Sequence, residues 1–65
     1  MIILNGNKTN GFENLSVLEL VQKNGYRIER IAVEYNGSIL PKSEYETTVI
    51  KENDLIEVVS FVGGG

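Results

Sequence analysis

Apolar and polar positions along the chain fall into short runs divided by asparagine–glycine pairs. The opening "MIILNGNKTNGF" holds two short apolar or β-tolerant runs on either side of Asn5-Gly6-Asn7. Asn-Gly is a strong hairpin signal because both residues accept positive φ, so strands are expected near residues 1–5 and 8–12. "NLSVLELVQKNGY" then carries start and stop signals for one short helix. Ser16 and Glu19 have the spacing of a capping box, and Leu15 and Leu20 that of a hydrophobic staple. Asn24-Gly25 supplies a left-handed ending, with Tyr26 placed to fold back on Val21. Val17, Leu18 and Val21 share one face of about two turns, the face that packs on a sheet.

Alternation resumes in "RIAVEYNGSILP". Ile31, Val33 and Tyr35 point one way, Ala32 and Glu34 the other, and Asn36-Gly37 turns the chain into Ile39-Leu40. Pro41 cannot donate to a ladder, so "PKSEYETTVI" reads as a crossing loop with one 3₁₀ turn around Ser43 to Tyr45. "KENDLIEVVSFV" supplies a polar turn and the last, longest strand. Two hairpins flanking one helix, with strands at both ends, predict an α+β fold: one mixed sheet of four to five strands packed on one short helix.

At 65 residues the chain is one domain near the lower size limit for a self-sufficient core. Its 42% hydrophobic and 23% charged residues, with one proline, are those of an ordinary globule. Cysteine and histidine are both absent. That removes thiolate and imidazole nucleophile pairs, a neutral-pH general base and nitrogen–sulfur metal sites, so no metal or bound cofactor is expected. Six Lys plus Arg against nine Asp plus Glu give a net charge of −3. This is the wrong sign for a nucleic-acid partner. No membrane span or signal segment is visible, and a cytoplasmic protein, monomeric when free, is expected.

Chemistry concentrates at the end of the last strand. If Ile56 and Val58 face the helix, Val59 and Phe61 lie on the open face, as a docking patch beside the tail. The acids Glu44, Glu46, Glu52 and Asp54 flank turns and read as a solvated rim. "SFVGGG" presents the carboxylate of Gly65 on a string of glycines. Phe61 to Gly65 can extend about 17 Å, far enough to enter a neighbouring enzyme's active site. A phosphate cradle is excluded because no helix follows the glycines. A carboxylate is inert until activated, typically as an acyl adenylate made from ATP by a second enzyme.

Together "AVEYNGSILPKSEY", "ENDLIEVVSFVGGG" and the chain length resemble the small sulfur carrier proteins of thiamin biosynthesis, the ThiS family of ubiquitin-like β-grasp proteins. The resemblance implies a β-grasp domain over 1–62 and a flexible glycine tail over 63–65. It implies no catalysis by this chain, which acts as a co-substrate. Gly65, matched with Gly64 to the family's terminal pair, is the site of adenylation and thiocarboxylate formation. Val59, Phe61, Val62 and Gly63 form the partner-binding approach to it. The implied partners are an adenylating enzyme of the ubiquitin-activating type, which uses ATP, thiazole synthase, and a sulfur donor such as a cysteine desulfurase. Alternative readings are a molybdopterin-type carrier subunit, a modifier joined to lysines, and a non-covalent interaction domain whose glycines are slack.

Overall fold

The computed structural model describes residues 1–61. Five strands, β1 (Ile2–Leu4), β2 (Asn7–Thr9), β3 (Ile31–Tyr35), β4 (Ser38–Leu40) and β5 (Leu55–Ser60), form one mixed sheet; a single helix, α1 (Val17–Lys23), lies between β2 and β3. The sheet order is β2-β1-β5-β3-β4, so the last strand in sequence is the central one. It pairs parallel with β1 and antiparallel with β3. This is the expected β-grasp arrangement, with all five strands present.

Both hairpins close through two-residue loops. Asn5 and Gly6 have φ of 51° and 83°, Asn36 and Gly37 of 52° and 88°, the paired positive angles of type I′ turns. Those turns fix the registers Leu4↔Asn7 and Tyr35↔Ser38. The first hairpin is shorter than expected: its second strand runs Asn7–Thr9 rather than 8–12. A two-residue turn brings Asn7 directly into the ladder, and Gly11, with φ of 97°, turns the chain away before Phe12.

Helix α1 has all four of its N-terminal amides accounted for. Ser16 Oγ accepts from Glu19 N at 3.0 Å and Glu19 Oε1 accepts from Ser16 N at 2.9 Å, completing the expected capping box. The other two donate to the crossing loop, Val17 N to Thr48 O and Leu18 N to Tyr45 O, both at 2.9 Å. The helix ends as the sequence predicts, in a Schellman motif, with Tyr26 N on Val21 O and Gly25 N on Gln22 O. Its buried face is Val17, Leu20 and Val21, with Leu18 only partly covered. Leu20, expected only as a staple residue, is therefore a core residue.

The core joins these three to Ile2, Ile31, Val33, Ile56 and Val58 from the sheet. The crossing loop adds Tyr45 and Ile50, both fully covered, so a segment without strands fills part of the interior. A 3₁₀ turn at Lys42–Glu44 starts that loop, one residue ahead of expectation.

The two turn asparagines also reach into β5. Asn5 N donates to Ile56 O while its Oδ1 accepts from Val58 N at 2.7 Å. Asn36 N donates to Leu55 O while its Oδ1 accepts from Leu55 N at 2.8 Å. Each asparagine thus does two things only it does well: it adopts positive φ and supplies a side-chain acceptor. Replacing Asn36 by Ala should lower unfolding free energy by about 1–3 kcal/mol, combining backbone strain with a lost hydrogen bond. Asn36→Gly should lose less, because glycine keeps the turn. In both variants the Leu55 amide should exchange faster with solvent; an unchanged rate would show that the side chain does not hold the strand.

Candidate functional site

Strand β5 organises the site because its alternation sorts residues onto two faces. Ile56 and Val58 point at α1 and are buried, which leaves Leu55, Glu57, Val59 and Phe61 on the open face. Val59 is 50% and Phe61 59% exposed. The pairing does not stop at Ser60, since Phe61 N donates to Arg30 O at 2.7 Å. Phe61 is therefore fixed by the sheet up to the residue before Val62. Val62, Gly63, Gly64 and Gly65, named from the sequence as the approach and the reacting terminus, lie outside the described residues.

The open face carries more than the sequence reading assigned to it. Ile3 sits beside Leu55 in the parallel register, and Ile39 lies across from Glu34 on β3. These two are also exposed, Ile39 at 65%. Alternation alone could have placed each of them, but not Ile3 beside Leu55 or Ile39 beside Glu34, because strand order and register are properties of the assembled sheet.

Asp54 overturns one expectation. Grouped with the solvated acids, it is buried at 8% exposure, whereas Glu44, Glu46 and Glu52 are exposed as expected. Its carboxylate accepts from the Tyr35 hydroxyl, from Lys51 N at 2.8 Å and from Asn36 Nδ2 at 3.2 Å. The signal was available in the sequence: Asp54 shares the parity of Ile56 and Val58, so continuing the strand alternation backwards turns it inward. Burial pushes its pKa up, but the three hydrogen bonds outweigh burial and hold it below the usual carboxylate value. The same cluster raises the Tyr35 phenol to about 12, through burial first and the Asp54 carboxylate second. The arrangement is a structural clasp between the β3–β4 turn and the start of β5, on the far side of the strand from the tail.

Among the described residues no three acidic side chains come together as a metal site, and no helix is long and apolar enough to cross a membrane. The candidate site is the end of β5, flanked by exposed Val59 and Phe61, from which residues 62–65 continue.

Residues 2–65 match the model of the ThiS family, a match that runs through the terminal glycines. The chain belongs to the ThiS family. The crystal structure of thiamine biosynthesis protein ThiS from Geobacter metallireducens is 33% identical, with a TM-score of 0.77, covering 98% of this chain and 97% of that one. The solution structure of a thiamine biosynthesis protein from the same organism gives 0.78 at 33% identity, covering 98% and 86%. Among relatives, the uncharacterized protein ycf40 of Porphyra purpurea is 38% identical over 64 residues, covering 98% of this chain and 90% of its own length. A thiazole synthase of Paramagnetospirillum magneticum is 34% identical over 64 residues. This ThiS chain spans only about a fifth of that enzyme, 20% of its length against 98% of its own.

The Asp54 clasp makes the stability of this chain depend on pH with a definite sign. A folded-state pKa below the unfolded value stabilises at pH above the unfolded value, and the contribution fades as pH falls through the folded one. Unfolding free energy should therefore begin to drop as pH falls below the ordinary aspartate value of about 4. Asp54→Asn should flatten that part of the profile and cost about 1–3 kcal/mol at pH 7, because one amide oxygen cannot serve three donors. Chemical denaturation across this pH range checks it; an unchanged slope in the variant would remove Asp54 from the account.

Proposed function

We propose that this chain carries sulfur as a thiocarboxylate on Gly65 and donates it for thiazole formation in thiamin biosynthesis. The observation that carries the proposal is the family match extending to residue 65, on a fold whose central strand leads into the glycines. Relatives named thiazole synthase contain a segment similar to the whole of this chain, which supports thiazole synthase as the acceptor.

The chemistry activates one carboxylate, exchanges its activated oxygen for sulfur, frees that sulfur as a thiocarboxylate and then gives it up. First, a Gly65 carboxylate oxygen attacks the α-phosphorus of ATP in a partner enzyme of the ubiquitin-activating type, and pyrophosphate leaves. A persulfide from a sulfur donor such as a cysteine desulfurase then attacks the acyl carbon and expels AMP. A thiol cleaves the resulting acyl disulfide by two-electron reduction, leaving the thiocarboxylate. Transfer of that sulfur to the acceptor returns the carboxylate once an oxygen atom, from water or from the acceptor itself, replaces sulfur at the acyl carbon. This chain supplies the carbonyl carbon, a backbone without side chains to thread a narrow channel, and a rigid face for docking. It needs no catalytic side chain, in keeping with a small carrier rather than an enzyme.

Deleting Gly65 should abolish thiazole formation in a reconstituted system while leaving the thermal unfolding midpoint unchanged. Normal thiazole formation by the truncated chain would refute the proposal and favour an interaction domain. Phe61→Asp should weaken the complex with the activating enzyme at least about tenfold, because it places a charge in the apolar approach. An unaltered dissociation constant would remove Phe61 from the docking surface.

A further inference from the structure

The open sheet face contains an arrangement that costs stability. Glu34 on β3 and Glu57 on β5 are direct cross-strand partners. Side chains so paired have Cβ atoms about 4.5–5.5 Å apart, and like charges at that separation destabilise a sheet. Among the described residues neither glutamate forms an ion pair with a lysine or arginine. Apolar residues surround them: Leu55 and Val59 along β5, Ala32 on β3 opposite Val59, and Ile39 opposite Glu34. The two carboxylates thus sit among apolar neighbours on the open face, Glu34 half-buried and Glu57 exposed, while Lys8 lies on the same face opposite Ile3 on the edge strand β2.

We infer that this face docks on the thiazole synthase and that Glu34 and Glu57 together receive one arginine side chain of that enzyme. The inference rests on the proposed carrier role, which makes thiazole synthase the acceptor, and adds the chemistry of its contact. A guanidinium presents several N–H donors in a planar fork, so one group can bridge two carboxylates that repel each other when alone. Its methylene stem and flat faces suit the aliphatic side chains on either side. A metal ion is a poorer occupant, since no third acidic ligand joins the pair among the described residues. A second copy related by a two-fold axis through this face would bring four carboxylates together.

The stability cost and the binding role predict opposite effects of one substitution. In Glu34→Gln and Glu57→Gln the thermal unfolding midpoint should hold or rise, because repulsion is relieved. Affinity for the purified cognate thiazole synthase, measured by titration calorimetry, should fall about tenfold or more in each. The double variant should lose less than the product of the single losses, because both carboxylates hold one group. Binding of the parent chain should weaken with added salt, and more steeply than that of the double variant.

Undiminished affinity in both variants would overturn the inference, as would a lowered unfolding midpoint, absence of binding by the parent chain, or fully multiplicative losses. Loss of affinity only for the activating enzyme would overturn the choice of occupant, and a self-association that the variants abolish would assign the face to a second copy. Sulfur loading of Gly65 is measured separately by mass. Failure of the glutamate variants to weaken binding leaves the carrier role standing, whereas failure of Gly65 to load refutes that role whatever the calorimetry gives.

Discussion

The structure depends on how the last strand is held. β5 is central to the sheet yet is the final element in sequence, so each hairpin must find it across a long stretch of chain. Both do so with an asparagine at the first position of an Asn-Gly turn, whose side chain accepts an amide of β5 while its backbone amide donates to a β5 carbonyl. The turn residues that set each hairpin's register therefore also extend the hairpin's pairing with the centre. Asp54 tightens one side by tying Tyr35 and Asn36 to the strand's first residues. A domain this small has few buried apolar groups to spend on a loosely held strand, and these polar contacts specify its position.

That constraint determines what the protein can present. A central strand is ordered on both edges, and pairing through Phe61 carries the order to the last residue before residues 62–65. α1 covers one face, which leaves the other as the surface on which an enzyme can rest while the chain end reaches its active site. The same face bears exposed Val59 and Phe61 next to the tail and the Glu34–Glu57 pair further back along β5. The proposed role separates docking and chemistry along one strand: side chains would address the partner, and the glycines would enter it.

Much of this was legible in local sequence signals. The capping box, the Schellman ending and the two Asn-Gly turns depend on residues within a few positions of one another, and each stands where the sequence predicts. Alternation likewise placed Ile56 and Val58 inside and Val59 and Phe61 outside. What escaped was non-local. Strand parity could have turned Asp54 inward, but its partners Tyr35 and Asn36 are distant in sequence and no local signal names them. Tyr45 and Ile50 looked like loop residues because nothing in their own segment shows that the loop crosses the open end of the core. Glu34 and Glu57 are unremarkable outward positions until register makes them partners, and the β2 boundaries slipped because Asn7 pairs directly after the turn and Gly11 bends the chain away. Family membership was legible because its residues are concentrated in two contiguous segments.

The central claim is that Gly65 becomes a thiocarboxylate, and its most direct test is the mass of the C-terminal fragment. The protein would be incubated with ATP, a cognate activating enzyme and a persulfide donor with a thiol reductant, then digested and measured before and after alkylation. The account predicts replacement of one oxygen by sulfur on the fragment ending at Gly65, with the new group consumed by the alkylating reagent. A gain on Met1 alone would be oxidation of its thioether. An unmodified Gly65 fragment under conditions that load a known carrier would contradict the account.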